Sequence, residues 1–269
     1  MQSVSDNFSI LNQIKSTDEI CDVHNENKIM FRNVVICQSC EKEKADKRSQ
    51  EIAEKSYRKE KIRRTYETLK KDSMCSDETI LDATFSNYEV SNSETKLALE
   101  RARLFADRYK NIDENFNVII TGVPGTGKSH LAMSILKEVN EDVDKKMSCL
   151  FISTNELMRR IKDSFNNRDS KYTEVNMIDL LGKADLLVLD DLGSESVFRS
   201  KQMNEATEYT QNVIFGILEQ RQRTIITTNH SSKELKEIYN SKIVSRSFKN
   251  VQVIKFTEAT KDKRIGVEF

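Results

Sequence analysis

Neither sign of charge is in excess in this 269-residue sequence, in which lysine plus arginine and aspartate plus glutamate each number 43. This balance excludes a protein that is basic throughout, so a nucleic-acid contact would have to come from a local patch of charge. The sequence also lacks an apolar run of about 18 residues, the length of a membrane span. No basic segment followed by an apolar one stands at its start. We therefore expect a cytoplasmic protein without a membrane partner.

Proline is nearly absent, and the single one, Pro124, lies in the octapeptide Gly-Val-Pro-Gly-Thr-Gly-Lys-Ser at 122–129. An apolar run at 118–120 precedes the octapeptide, and a helical pattern follows it. A glycine-rich loop between a strand and a helix presents backbone N–H groups and the positive end of the helix dipole to a phosphate. The pattern therefore predicts a phosphate-binding loop for a nucleoside triphosphate.

Within this loop we expect Lys128 to reach the β- and γ-phosphates and Ser129 to hold Mg²⁺. The residues predicted to bind the nucleotide are Gly122, Val123, Pro124, Gly125, Thr126, Gly127, Lys128, Ser129 and His130.

Buried strands alternate with helical stretches in most of the chain. Four apolar runs follow the strand before the loop, at 149–152, 186–189, 224–226 and 251–254. The alternation predicts an α/β fold, with a parallel five-stranded sheet flanked by helices.

The region before this fold is short of glycine and apolar residues. Residues 41–72 are dominated by lysine, arginine and glutamate, and they predict an exposed helix. Its interspersed acidic residues favour a solvated connector over a nucleic-acid arm.

Ser91 and Glu94 have the spacing of a capping box and predict the start of a further helix. We divide the chain into an N-terminal domain at 1–45, a charged helical linker at 46–75 and an ATPase domain at 76–269.

Polar residues end two of the predicted strands. Asp190 and Asp191 follow the run at 186–189, and Asn229 ends the strand at 224–226. Because the carboxyl ends of parallel strands share one edge of the sheet, these side chains are expected beside the phosphates. We expect Asp190 to hold Mg²⁺ through water, Asp191 to orient and deprotonate the attacking water, and Asn229 to contact the γ-phosphate or that water.

A further predicted catalytic residue, Arg246, lies in a short helical stretch that follows a cap at Ser231 or Ser232. An arginine given to the γ-phosphate of a neighbouring subunit stabilises the charge of phosphoryl transfer. A surface arginine is the alternative.

The five cysteines are expected to be reduced in the cytoplasm, which favours metal binding over disulfides. Cys21 and His24 form one pair and Cys37 and Cys40 another, with twelve residues between the pairs. A two-residue gap within each pair lets one turn aim both ligands at one ion, which is the spacing of a tetrahedral zinc site. We expect Zn²⁺ to replace the apolar core that so short a segment lacks. Unpaired thiols are the alternative.

Four motifs of this sequence together resemble those of AAA+ ATPases. They are the phosphate loop, Leu-Val-Leu-Asp-Asp-Leu-Gly-Ser-Glu, Thr-Thr-Asn and Val-Ser-Arg. Asp-Asp-Leu-Gly at 190–193, Ala-Thr-Phe-Ser-Asn-Tyr at 83–88 and Ser-Thr-Asn-Glu-Leu at 153–157 are most similar to bacterial helicase loaders of the DnaC/DnaI type. The resemblance covers about residues 80–269. Asp191 stands where most AAA+ members carry glutamate, which leaves Asp191 and Glu195 as alternatives for activating water. Arg264 matches the nucleotide-sensing arginine.

The resemblance implies an ATPase, slow and stimulated by DNA, that uses ATP and Mg²⁺ and assembles into a ring or spiral. It implies single-stranded DNA binding by the helix after the second strand, through Arg159, Arg160 and Lys162. A surface helix with its basic residues in solvent is an equal alternative. It also implies that the zinc domain contacts the hexameric replicative helicase. We therefore expect a helicase loader acting in replication initiation. The alternatives are a transposition-helper ATPase and a nucleotide-gated adaptor or inhibitor with little turnover.

Overall fold

The computed structural model describes residues 14–142, 147–167, 169–195, 207–260 and 262. The chain forms two compact units, residues 1–61 and residues 62–269. Within the described ranges, no helix is both long enough and apolar enough to cross a membrane.

The first unit contains an antiparallel sheet and the start of a long helix. Its elements are β1 (Ile14–Ile20), β2 (Asn27–Phe31), β3 (Val34–Ile36) and helix α1 (Gln38–Arg64). The strand order is β1-β2-β3. Arg32 and Asn33 join β2 to β3 with positive φ angles of 47° and 64°. A two-residue turn with both residues in this region matches the right-handed twist of the strands it connects.

The second unit is built around the predicted parallel sheet. Its strands are β4 (Asn117–Thr121), β5 (Cys149–Ser153), β6 (Leu186–Asp190), β7 (Thr224–Thr228) and β8 (Val251–Lys255). They pair in the order β5-β6-β7-β4-β8, and every pair is parallel. The fold class predicted from the five apolar runs is confirmed.

Eight helices of the second unit lie in the described ranges. They are α2 (Thr68–Lys71), α3 (Ser93–Tyr109), α4 (Lys128–Asn140), α5 (Thr154–Asp163), α6 (Glu174–Lys183), α7 (Glu208–Glu219), α8 (Ser232–Ile238) and α9 (Ser241–Ser247). Short 3₁₀ helices occur at Glu78–Asp82 and Ser164–Asn166.

Helices cover both faces of the sheet because neighbouring strand residues point to opposite sides. Val118 and Ile120 of β4 belong to the core formed with α3 and α4. Ile119 belongs to the opposite core, which contains residues of α5 to α9. Since β7 lies between β6 and β4, the sheet brings together the loops that follow these three strands.

The exposed helix predicted for residues 41–72 is wrong in its last part. Helix α1 ends at Arg64, and the short α2 follows after a turn. Leu69 is buried, and the Thr68 hydroxyl donates to the carbonyl oxygen of Cys149 in β5 at 3.3 Å. Contacts with the folded unit therefore interrupt the helix, although no proline or glycine marks the break.

The capping box predicted for Ser91 and Glu94 is also wrong by one position. Asn92 caps α3, and its box is closed by Thr95. The Glu94 carboxylate accepts instead from the backbone N–H of Thr257 at 3.0 Å and from the Thr257 hydroxyl at 2.8 Å. The Glu94 side chain, which the local pattern assigned to the cap, is therefore engaged in a long-range contact with Thr257.

Candidate functional site

Glycines shape the loop between β4 and α4. Gly125 and Gly127 have φ angles of 74° and 89°, in the left-handed region that glycine adopts without strain. Gly127 is the N-cap of α4, and a β-carbon there would lie 2.9 Å from the ring of Tyr88. The loop therefore requires glycine both for its backbone conformation and for the close approach of Tyr88.

The Lys128 side chain folds over this loop and is only 7% exposed. Its Nζ donates to the carbonyl oxygens of Gly122 at 2.9 Å and Val123 at 2.7 Å. The Thr126 hydroxyl donates to the same Val123 carbonyl at 3.0 Å. The ammonium group is thus held beside the backbone that the sequence predicts to surround phosphate.

Segment 83–88, which resembles part of the helicase loaders, lies beside the loop and contacts it through Thr84 and Tyr88. The His130 Nε2 atom lies 2.9 Å from the carbonyl oxygen of Thr84. The His130 ring also meets the ring of Tyr88 edge-on, with 5.3 Å between centroids. His130 therefore attaches segment 83–88 to the start of α4.

The Asp190 carboxylate lies next to the first turn of α4. Its Oδ1 accepts from the Thr227 hydroxyl at 2.6 Å. Burial raises the pKa of Asp190, while hydrogen bonds from Thr227 and Ser129 oppose this rise. Ser129 and Asp190, which the sequence predicts as magnesium ligands on separate grounds, thus lie close together. Thr227 orients Asp190, and the strand pattern does not single it out.

Asp191 adopts an unusual backbone conformation at the end of β6, with a φ of 58°. Two hydrogen bonds from the β7 side hold it there. Its backbone N–H donates to the Thr227 hydroxyl at 2.8 Å, and its Oδ1 accepts from Asn229 Nδ2 at 2.9 Å. Aspartate tolerates the left-handed region better than most residues. The structure therefore brings Asp191 and Asn229 into contact and aims both at the same edge of the sheet.

Glu195 lies close in sequence, but its carboxylate is engaged elsewhere. Its Oε2 accepts from the Gly193 N–H at 3.0 Å and the Thr154 hydroxyl at 3.2 Å. Its Oε1 accepts from the Tyr239 hydroxyl. Burial raises the pKa of Glu195 to about 7. Glu195 therefore joins the loop after β6, the start of α5 and the end of α8. Because both its oxygens accept from these donors, Asp191 is the better placed of the two acids to meet an attacking water.

The basic residues of α5 are partly neutralised on their own helix. Glu156 accepts from Arg159 Nη2 at 2.7 Å and from Arg160 Nε at 2.6 Å. These hydrogen bonds lower the pKa of Glu156 to about 2. Arg159 also pairs with Asp163 at 3.0 Å. Lys162 is exposed, and within the described ranges no acidic residue lies within ion-pair distance of it.

Arg246 lies on α9, which is a helix separate from α8. Ser231, one of the two caps that the sequence offers, caps α8, whereas the helix of Arg246 is capped by Asn240. The Arg246 guanidinium donates to Glu219 at 3.0 Å, and its carbon lies 4.3 Å from the centroid of the Phe215 ring. The side chain is therefore held against α7 of its own unit.

In the first unit, the four predicted zinc ligands converge. All their ligand atoms lie within 4.8 Å of one another. A tetrahedral zinc ion, with bonds of about 2.3 Å to sulfur and about 2.0 Å to nitrogen, places two sulfurs about 3.8 Å apart and a sulfur and a nitrogen about 3.5 Å apart. The Sγ atoms of Cys21 and Cys40 are 3.7 Å apart, and Nδ1 of His24 is 3.5 Å from Cys37 Sγ and 3.3 Å from Cys40 Sγ. This donor set fits Zn²⁺.

The surroundings of the cluster also suit a metal. The other ring nitrogen of His24, Nε2, lies 3.0 Å from a carboxylate oxygen of Glu43, a common partner for a zinc-bound histidine. Hydrogen bonds from His24 lower the pKa of Cys21 to about 6, whereas burial raises the pKa of Cys37. Within residues 14–61, Cys21 and Cys37 are the buried side chains among those described. The cluster thus occupies the place of an apolar core.

The predicted nucleotide-sensing residue Arg264 lies outside the described residues. Supporting residues such as Tyr239 and Glu43 carry no motif of their own, and Thr227 belongs to the Thr-Thr-Asn motif without a role predicted for it. The only signal that could have found them is their proximity in space to a motif residue.

Comparisons with known proteins agree with this geometry. The family model of IstB-like ATP binding proteins matches residues 34–248. The replicative helicase loader DnaC of Escherichia coli (strain K12) is 28% identical over 169 residues, which are 61% of this chain and 62% of that protein. DnaC of Buchnera aphidicola subsp. Acyrthosiphon pisum (strain APS) is 26% identical over 173 residues, 63% of this chain and 64% of that protein. The chain thus spans less than two thirds of the length of these curated relatives.

Solved structures show the same fold. The crystal structure of the DnaC helicase loader superposes with a TM-score of 0.55 and 25% identity, covering 67% of this chain and 99% of that chain. The crystal structure of DnaI gives a TM-score of 0.55 at 24% identity and covers 68% of this chain and 95% of that chain. The family match includes the phosphate loop and the polar residues that end β6 and β7, and it extends over most of the sequence. The chain therefore belongs to the family of IstB-like ATP binding proteins.

Proposed function

We propose that this protein is an ATP-dependent loader that places a hexameric replicative helicase on single-stranded DNA during the initiation of replication. The observation that carries the proposal is the glycine-shaped loop at 122–129 with the Lys128 ammonium held against its backbone, in a chain similar to the DnaC loader. This arrangement supports a nucleotide-driven step. The similarity to DnaC supports a helicase as the partner.

In this proposal, the β- and γ-phosphates of ATP lie against residues 122–129. Lys128 exchanges the carbonyls of Gly122 and Val123 for phosphate oxygens, since a charge-assisted hydrogen bond is stronger than one to a neutral acceptor. Ser129 and Asp190 hold Mg²⁺, which supplies charge neutralisation when bound. The remaining predicted loop residues, apart from Pro124, which has no N–H, position the phosphates through their backbone N–H groups.

Asp191 is the residue that we assign to activation of the attacking water, with Asn229 beside it as the contact to that water or to the γ-phosphate. The aspartate side chain is one methylene shorter than the glutamate usual in AAA+ proteins, which supports slow turnover. Glu195 is assigned to positioning because its oxygens accept from Gly193, Thr154 and Tyr239.

Helix α5 is the proposed contact for single-stranded DNA. Arg159 and Lys162 are exposed cations of this helix, and Arg159 and Arg160 share the Glu156 carboxylate. A DNA phosphate that binds either arginine therefore competes with Glu156, which supports weak contacts summed over several subunits. Each phosphate contact would contribute one counterion-release term to the salt dependence of binding.

The zinc unit is the proposed contact with the helicase, and the ATPase units are proposed to associate head to tail in a ring or spiral. One zinc unit on each subunit would grip one helicase protomer. Several weak contacts of this kind add through their effective concentration.

Replacing Arg246 by alanine should leave ATP binding intact and lower DNA-stimulated hydrolysis by about 1,000-fold, as for other arginines supplied to a γ-phosphate. Lys242→Ala on the same helix is the matched control, and its activity should stay near wild type. Mixing Arg246→Ala with Lys128→Ala should restore part of the hydrolysis, because a mixed interface can join an intact loop to an intact arginine. Mixed oligomers that form and stay inactive would show that Arg246 acts within its own subunit.

The proposed function is tested by loading a purified hexameric helicase on circular single-stranded DNA. We expect unwinding of an annealed strand to require this protein and ATP, and to fail with Asp190→Asn. Residues 1–72 alone should bind the helicase without loading it. Unwinding that is indifferent to the protein would contradict the proposal.

A transposition-helper ATPase is the second candidate, since its ATPase core would contain the same nucleotide site. The fit of Cys21, His24, Cys37 and Cys40 to zinc favours the loader, because a helper is not expected to need metal in this region. Affinity capture from a bacterial lysate would return a helicase for a loader and a transposase for a helper. Hydrolysis that stays negligible with DNA would instead indicate a nucleotide-gated adaptor or inhibitor.

A further inference from the structure

A small cavity of ≈ 230 Å³ opens beside α5 in the second unit. Its apolar floor is formed by Met74, Met177 and Leu180, and its wall by Tyr172. The volume is below the about 300–1,000 Å³ of pockets for drug-sized ligands. A ligand fragment with the size of one planar ring system suits this space better than a complete nucleotide cofactor does.

Tyr172 is held firmly at the wall of this cavity. Its hydroxyl accepts from Arg160 Nη1 at 2.8 Å, and the Arg160 guanidinium carbon lies 4.9 Å from the ring centroid. Arg160 is itself fixed by Glu156 at 2.6 Å. An aromatic ring whose rotation is already restricted loses little conformational entropy when another ring stacks on it.

The rim of the cavity favours an anionic chain. Lys71, Arg160 and Lys171 stand on it, together with one carboxylate, Asp72. Lys71 is paired with Glu67 and Arg160 with Glu156, so a phosphate at either cation would compete with a carboxylate. Asp72 is neutralised by two hydrogen bonds from Arg63, at 2.6 and 2.9 Å.

Lys171 is exposed, and its ammonium lies 5.0 Å from the centroid of the Tyr172 ring. Among the residues that the structure describes, no carboxylate lies within ion-pair distance of Lys171. The ammonium can therefore leave the ring for a phosphate.

A second hollow of ≈ 330 Å³ adjoins the first and shares Arg160 and Tyr172 with it. Arg159, Asn167 and Ser170 also line this hollow, and they supply hydrogen-bond donors. The two hollows therefore border each other beside α5, with Arg160 and Tyr172 lining both. Bases stacked on aromatic side chains beside cations that track the backbone are typical of proteins that bind single strands.

We propose that the cavity at Tyr172 is a base-binding subsite for single-stranded DNA, in which one nucleobase stacks on the Tyr172 ring and Lys71 and Lys171 contact the neighbouring phosphates. This inference rests on the proposed function and adds a base contact to the phosphate contacts of α5. Because every nucleobase has a stacking face, the subsite binds without strong preference for sequence.

The test uses the full chain with ATP and Mg²⁺ and measures affinity for an oligonucleotide of mixed sequence. Tyr172→Leu should weaken binding by about 5- to 100-fold, the range for loss of one base–aromatic stack. Tyr172→Phe keeps the ring and loses the hydroxyl contact with Arg160, so it should bind near wild type. Both variants should retain wild-type ATP affinity and unfolding temperature.

An oligonucleotide with abasic sites separates stacking from a structural effect. The wild type should bind this strand about as weakly as Tyr172→Leu binds the intact one, and Tyr172→Leu should show no further loss. Lys171→Gln should lower the slope of log affinity against log salt by about one. Equal losses for Tyr172→Leu on intact and abasic strands would overturn the subsite.

The outcome also separates this inference from the proposed function. Wild-type protein that loads helicase and binds DNA, with Tyr172→Leu unchanged, overturns the subsite alone. A wild type that does not bind single-stranded DNA overturns both.

Discussion

Replacing Cys37 and Cys40 together by serine is expected to remove zinc from the protein and unfold residues 14–61. Zinc in small structural sites contributes about 10–16 kcal/mol of apparent binding free energy. Little else holds this unit together, because Cys21 and Cys37 are the buried side chains among its described residues. Elemental analysis should give one zinc per wild-type chain and none for the double variant. Circular dichroism and proteolysis of this unit report its unfolding.

ATP binding by the same double variant should stay at the wild-type level, since residues 62–269 form a separate compact unit. Cys75→Ser is the matched control, because Cys75 lies in the second unit and should leave the zinc content unchanged. A double variant that still carried one zinc per chain would contradict the ligand assignment. A metal-free wild type with a folded first unit would contradict it as well.

Replacing Lys128 by alanine is expected to weaken ATP binding by at least about 100-fold, because two charge-assisted hydrogen bonds of about 1.5–3 kcal/mol each are lost. Titration with a fluorescent ATP analogue measures this effect. Lys137→Ala, on the last turn of the same helix α4, is the control and should bind normally. Wild-type affinity in the Lys128 variant would mean that the loop is not the phosphate site.

Asp190→Asn should separate binding from hydrolysis. Asp190 accepts from the Thr227 hydroxyl, lies close to Ser129 and is not assigned to phosphate. The variant should therefore bind ATP with near wild-type affinity and lose Mg²⁺-dependent hydrolysis by at least about 100-fold. If Asp190→Asn lost as much ATP affinity as Lys128→Ala, Asp190 would shape the loop and would not act through the metal.

Local patterns predicted the parts of the site that depend on neighbours in sequence. Short-range backbone conformation sets the relative positions of the groups in the octapeptide at 122–129 and in the pairs Cys21/His24 and Cys37/Cys40. Four of the five strands were predictable because each is a short apolar run that is buried on both faces. The edge strand β8 was predictable from its apolar residues, although only Ile254 is buried in it. The Ser231 cap follows from its own capping box.

Local patterns failed where a distant partner competes for the same group. Glu94 has the spacing of a capping residue, but it contacts Thr257. The charged region at 41–72 has no helix breaker, yet Leu69 is buried beside the sheet and the helix is interrupted. In each case the gain from tertiary contact exceeds a local preference of a few tenths to about one kcal/mol.

The sequence by itself determined the residue types of the nucleotide and metal sites and the alternation that builds the sheet, because these follow from short-range geometry. Only the tertiary structure decided how those residues are engaged. In the order β6-β7-β4, the Thr227 hydroxyl donates to the Asp190 carboxylate and accepts from the backbone N–H of Asp191. The packing of α5 brings Arg160 into hydrogen-bond contact with Glu156 and Tyr172. Such assignments depend on groups far apart in the chain that meet only after the strands have paired, so no local spacing encodes them.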